Sequence, residues 1–167
     1  MAQKKNLKAP NVDSPIKLPS KKYVSKDIPC DSLKKLFRRA DLIFDGVEHE
    51  GPSFEARVFL NNEKADAKTP KDPKNGYAGT FHVFGHGGCF GDVGHCDVRR
   101  TPRRYDPRPA HPLTPARKVL IATEALRQAG KGKAMKVTVV PIVRSESLEE
   151  KYDNVLKFDK ISVVTYN

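Results

Sequence analysis

The sequence predicts an all-β chain: an antiparallel β-sandwich, jelly-roll-like or a small barrel, with one or two short helices and a long Gly/Pro/Arg-rich loop. Three observations carry this expectation. Six separate stretches read as strands, with clean period-two alternation in Phe54 to Leu60. Turn formers divide those stretches, with 13 prolines and 11 glycines in 167 residues. Helical spacing appears in only two short segments.

Residues 1–27 hold seven lysines, three prolines and little apolar material. Such a composition does not offset its own ordering entropy and reads as a flexible basic tail. The domain is then 28–167. Leu33, Leu36 and Phe37 follow at i, i+3, i+4 spacing, with Asp31 or Ser32 as the cap and Arg38 and Arg39 at the C-terminal end. This is a short amphipathic helix or turn. Asp41 to Val47 reads as a strand. Phe54 to Leu60 alternates, with Phe54, Ala56, Val58 and Leu60 on one side. The Gly51-Pro52-Ser53 turn signal between them predicts a hairpin.

Residues 61–76 form a polar loop, and residues 77–84 the next strand. Residues 85–116 are irregular, and a loop of that length inside a compact domain is usually functional. Lys118 to Ala122 is a short strand. Thr123 caps a brief helix, Glu124 to Ala129, which Gly130 closes. Met135 to Val143 is a strand in which Pro141 hints at an edge or a bulge. Residues 144–157 are a polar loop, and Phe158 to Tyr166 is the closing strand.

The length suits one domain. No apolar run approaches the length of a membrane helix, and the basic N-terminus lacks a following apolar stretch. The expected location is cytoplasmic. An odd count of three cysteines argues against a disulfide-stapled secreted module. A Gly-x-Ser-x-Gly elbow, a phosphate loop and a dinucleotide fingerprint are all missing, so independent catalysis is the weakest expectation. A net charge of +11 calls for an acidic partner or serves solubility.

The densest chemistry lies between Gly76 and Asp97. Three of the five histidines and two of the three cysteines fall there: His82, His86, Cys89, His95 and Cys96. Imidazole and thiolate together suit copper(I) or zinc. Glycines at 85, 87, 88, 91 and 94 would let the backbone fold tightly enough for the ligands to converge. The spacing fits no standard zinc module. A Cys89–Cys96 disulfide, or reduced cysteines beside structural histidines, are the competing readings. Phe84 and Phe90 flank the glycines, and by residue type both read as core residues under the loop.

The run from Arg99 to Arg108 is the most basic, with Arg99, Arg100, Arg103, Arg104 and Arg108 around Tyr105. It could grip phosphates with Tyr105 stacked on a base, as in a basic nucleic-acid-binding β-barrel. Its prolines forbid a recognition helix, and no standard nucleic-acid motif accompanies it, so nucleic acid is the weaker expectation. A solvated loop that pairs with acidic residues of its own chain, such as Asp92 and Asp97, is the simpler reading.

Several strings resemble the C-terminal domain of the polyphenol oxidase and tyrosinase family. They are Leu42-Ile43-Phe44-Asp45-Gly46-Val47-Glu48, Phe54-Glu55-Ala56-Arg57-Val58-Phe59-Leu60-Asn61, Tyr77-Ala78-Gly79-Thr80-Phe81 followed by His86, Val137-Thr138-Val139-Val140-Pro141, and Lys160-Ile161-Ser162-Val163. Their order runs through residues 40–166, while residues 87–116 have no counterpart in the plant-like form. The resemblance implies a β-sandwich that sits over a di-copper catalytic domain and blocks access to its copper site. In some members a residue of this domain plugs the substrate pocket, and in some a cysteine motif helps load copper. The six-histidine helical copper domain itself is not encoded here, so the resemblance implies a domain that does not oxidise phenols alone. The expected partner is that di-copper domain, in the same or a separate chain. The expected docking residues are Phe84, Phe90, Arg99, Arg100, Arg103, Arg104 and Tyr105. A copper- or zinc-binding accessory protein is the alternative.

Overall fold

A computed structural model describes residues 21–49, 51–85, 115–143 and 154–167. Nine strands and one α-helix lie within them: β1 Tyr23–Val24, β2 Ile28–Pro29, β3 Arg39–Val47, β4 Phe54–Leu60, β5 Tyr77–Val83, β6 Ala116–Ile121, α1 Thr123–Ala129, β7 Ala134–Met135, β8 Val137–Val143 and β9 Lys160–Tyr166. The pairings are antiparallel. One sheet has the order β1-β8-β4-β5, a second β6-β3-β9, and β2 pairs with β7 apart from both. These orders are open, so a sandwich rather than a closed barrel describes these residues.

The six long strands fall on the six stretches that the sequence marks as strands. Phe54, Ala56, Val58 and Leu60 of β4 enter the same core as Ala40, Leu42 and Phe44 of β3. That shared cluster holds the two sheets face to face. Phe44 packs its ring 4.8 Å from Phe81 of β5 and 5.7 Å from Phe158, just before β9.

The expected hairpin between residues 41–47 and 54–60 does not form. β3 pairs on its two sides with β6 and β9, whereas β4 lies between β5 and β8 in the other sheet. Both ladders of β3 are already occupied, so the connection around Gly51-Pro52-Ser53 crosses from one layer to the other.

Tyr23–Val24 pairs with Val139 and Thr138, so ordered pairing begins inside the stretch read as a tail over 1–27. Asp31–Lys34 forms a single 3-10 turn. It buries Leu33 and leaves Leu36 94% exposed, because Lys35 is already extended. Neither Asp31 nor Ser32 caps it; the capping position is Cys30.

Thr123 does not cap α1 with its side chain, because the cap position is Ala122. Its Oγ1 instead accepts from the Ala40 backbone N–H at 3.1 Å and ties the helix to the start of β3. The expected strand over Met135 to Val143 is broken at Lys136. There the backbone N–H donates to Asn61 Oδ1 and the carbonyl accepts from the Asn61 N–H, both at 2.9 Å. The chain leaves the β2 pairing and enters the four-stranded sheet at that point. Pro141 sits past the reach of β1, which pairs with β8 only at Thr138 and Val139.

The outward side of the four-stranded sheet carries Phe59, Val140 and Ile142, and these are buried too. Residues 61–75 run over them as a strap, with Ala65 packed into the same cluster. Long cations fasten it. Lys22 Nζ donates to the Glu63 and Ala65 carbonyls at 2.7 and 3.2 Å, and an Arg57 terminal nitrogen donates to the Ala67 carbonyl at 2.8 Å. Asp72 caps the turn that ends the strap by accepting from the Asn75 N–H at 2.9 Å.

Candidate docking site

Of the sequence-predicted site residues, His82 and Phe84 fall within the described residues. His86, Cys89, Phe90, His95, Cys96, Arg99, Arg100, Arg103, Arg104 and Tyr105 lie outside them. Among the described residues no group of three or more His, Cys, Asp or Glu is placed to hold a metal.

His82 is exposed on the outward side of β5, directly opposite Glu55 of β4. Phe84 follows the end of β5 and is 80% exposed. A core position, one of its two sequence readings, is therefore not what it occupies. The backbone beside it is closely held. The Gly85 N–H donates to Ser53 Oγ at 3.0 Å, and a Cβ at position 85 would fall 2.0 Å from the Gly51 carbonyl oxygen. Phe54 pairs with Val83 on the other side of Phe84. A large apolar ring is thus presented to solvent by backbone fixed before and after it, which favours a contact that loses little ordering entropy on binding.

Behind this rim lies an ion cluster. Glu55 accepts from Arg57 at 3.0 Å and from Lys71 at 2.5 Å. Burial pushes the Glu55 carboxyl up, but the hydrogen bonds from Arg57 and Lys71 and their positive charges outweigh it and hold it at about 2. Glu55 is therefore an anion that fastens the strap and is no proton donor near neutral pH. Cys30 is buried, with its Sγ near the Ile28 and Ala129 carbonyls, and burial raises its thiol above the ordinary value. Such a thiol is unreactive.

Two surfaces were not singled out from the sequence. A groove of about 630 Å³ runs between α1 and the ends of β4, β5 and β6, lined by Leu60, Tyr77, Ala78, Ile121, Ala125 and Ala129 among others. The second is the outward side of β6-β3-β9. Ile121 and Val164 flank Asp41, and Val119 flanks Ile43. Val119 is 48% exposed, Ile121 60% and Tyr166 44%. Arg39 clamps the fully buried Asp41 through two hydrogen bonds of 2.8 and 2.7 Å and lies over the Tyr166 ring. The continuous apolar run Val119-Leu120-Ile121 concealed this surface, since it does not show which residues face out. The signal that would have found it is register, because Leu120 opposite Leu42 sets Val119 and Ile121 outward.

No family model and no curated protein matches the sequence. Solved structures share the fold. Recombinantly expressed latent aurone synthase, a polyphenol oxidase, superposes with a TM-score of 0.53 at 14% identity, covering 99% of this chain and 28% of that one. Latent aurone synthase from its natural source gives 0.51 at 13% identity, covering 92% and 25%. This chain therefore spans about a quarter of the length of the enzymes whose fold it shares. No helix among the described residues is long and apolar enough to cross a membrane.

Proposed function

We propose that this chain is a non-catalytic shielding domain that covers a di-copper phenol oxidase domain, keeps it latent, or assists its copper loading. The observation that carries the reading is the superposition. Nearly the whole chain corresponds in fold to about a quarter of a latent polyphenol oxidase. Phe84 supports it as a fixed, exposed aromatic ring at the rim, suited to enter a partner's apolar opening. The arginines 99, 100, 103 and 104, with Tyr105 and Phe90, would add an electropositive border to that contact. Copper loading would use His82, His86, Cys89, His95 and Cys96, whose soft donors suit copper(I).

The test mixes the purified chain with the di-copper domain of the same organism and follows catechol oxidation. The expected result is inhibition by tenfold or more, largely relieved by Phe84→Ala. The chain alone, supplied with copper, turns over no catechol. Enzymatic turnover by the chain alone, or an oxidase indifferent to it, overturns the reading.

A further inference from the structure

The two main sheets end at β1, β5, β6 and β9. An open strand edge invites pairing with another chain, and proteins blunt such edges with short strands, bulges and charges. β1 is two residues long. β5 carries Gly79 at φ +142, beside a register shift against β4. β6 carries Arg117 and Lys118, and its ladder with β3 also shifts, between Phe44 and Val47. β9 has none of these devices. It pairs with β3 without a break from Lys160 to Tyr166, and its one charge, Lys160, stands at its end.

The ladder shows which backbone groups of β9 are free. The Ala40 N–H donates to Thr123 Oγ1 and its carbonyl accepts from the Ala122 N–H, so Ala40 addresses the β6 side of β3. Backbone groups alternate along a strand, so Asp41 and Ile43 address β9, through Val164 and Ser162 opposite them. The N–H and C=O groups of Ile161, Val163 and Thr165 then point away from β3. Among the described residues no strand lies beyond them.

The core is open along the same margin. Ala40, Leu42 and Phe44 are fully buried, whereas Thr165, Val163 and Ile161 directly opposite them are only partly so. At the far margin β5 and β6 meet, where Gly79 packs on Leu120. Counted from there, the sheet that ends in β1 runs one strand further than the sheet that ends in β9. An added strand would bring the two layers level and cover Ile161 and Val163.

The residues of β9 say which strand fits. Antiparallel pairing of two copies about Val163 sets Val163 on Val163, Ile161 on Thr165, Ser162 on Val164 and Lys160 on Tyr166. On the core side every pair is β-branched on β-branched, a favourable cross-strand combination, and no like charges are opposed. The free groups lie symmetrically about Val163, so the two edges exchange on the order of six hydrogen bonds.

We infer that β9 pairs edge to edge with β9 of a second copy, giving a two-fold dimer in which the two β6-β3-β9 sheets become one. An interface confined to two edge strands falls below about 1,200 Å², so the dimer is weak and concentration-dependent. A net charge of +11 on each copy opposes it, so added salt strengthens it. Phe84 follows β5, at the opposite margin, and stays free in both copies. The dimer stands independently of the shielding reading.

The experiment is sedimentation equilibrium of the full chain over a wide concentration range, at two salt concentrations and under reducing conditions that exclude disulfide dimers. The expected result is a monomer–dimer equilibrium that tightens severalfold at the higher salt. Thr165→Pro removes an N–H that points away from β3, so it spares the internal ladder, and it is expected to weaken the dimer at least tenfold. Thr165→Lys sets a charge on the same edge and gives the same direction should the proline variant fail to fold. Hydrogen exchange at the Ile161, Val163 and Thr165 amides is expected to slow as the dimer forms. A chain that stays monomeric throughout overturns the inference. So does a dimer that both Thr165 variants leave intact, one that Phe84→Ala dissociates instead, or one that salt disperses.

Discussion

Glu55 and Arg57, two residues apart on β4, form a 3.0 Å ion pair on the side of the sheet that faces the strap, with side chains only 10% and 12% exposed. Their pairing decides how the strap is held, because Lys71 reaches Glu55 and Arg57 reaches the Ala67 carbonyl. A pair this shielded is costly to break from one side, since the remaining charge loses its partner without regaining water.

The first prediction follows from that pair. Glu55 titrates near 2 when folded and near 4.5 in the unfolded chain. Its folded value is depressed, so its contribution is fully present above about pH 4.5 and is lost as pH falls toward 2. Lys71 is 42% exposed, so solvent screening trims the effect to roughly 1–2 kcal/mol. Glu55→Gln should lower stability by roughly 1–3 kcal/mol at pH 7. It should also flatten the loss of stability between pH 4.5 and 2 relative to wild type. Urea melts at several pH values check both.

A second prediction concerns Phe44. It is fully buried and its ring contacts Phe81 and Phe158, so it joins β3 to the opposite sheet. Phe44→Ala should cost about 3–5 kcal/mol, and Phe44→Leu clearly less, because the cavity left is smaller. Thermal or denaturant unfolding distinguishes the two. Equal losses would mean that aromatic geometry rather than volume sets the cost.

How much of this was legible in the sequence depends on whether a feature is local. A strand such as β4 was visible because alternation is written into the segment, as in Phe54, Ala56, Val58 and Leu60. Which strands pair was not. The turn signal at Gly51-Pro52-Ser53 is the same for a hairpin as for a crossing between layers, and only the occupied ladders of β3 decide between them. Thr123 misled for a related reason, because its hydroxyl is satisfied by Ala40, 83 positions away. His82 and Phe84 stand out by residue type alone, which is local, whereas the exposed Val119–Ile121 face needed the register against Leu42 and Ile43.

A third prediction tests the close approach of β5 to β6. Gly79 has φ +142, and a Cβ there would lie 2.7 Å from Leu120 Cδ1. Gly79→Ala should destabilise by about 1–3 kcal/mol through backbone strain and crowding. Adding Leu120→Ala should recover only the crowding part, so a double-mutant cycle separates the two contributions.

The last prediction runs in the stabilising direction. Thr138 is fully buried in β8, and its Oγ1 finds no hydrogen-bond partner among the described residues. It lies opposite Phe59 on one side and Val24 on the other. A buried hydroxyl without a partner has lost its water and gained nothing in return. Valine keeps the branched shape and replaces the hydroxyl with a methyl group that fits among Phe59 and Val24. Thr138→Val should therefore raise stability by about 1 kcal/mol, and Thr138→Ser should lower it, since serine keeps the unsatisfied oxygen and loses the methyl. Calorimetry on the two variants reads the difference directly. Destabilisation by valine would show that the oxygen has a partner, such as a buried water, and that the β1–β8 junction depends on it.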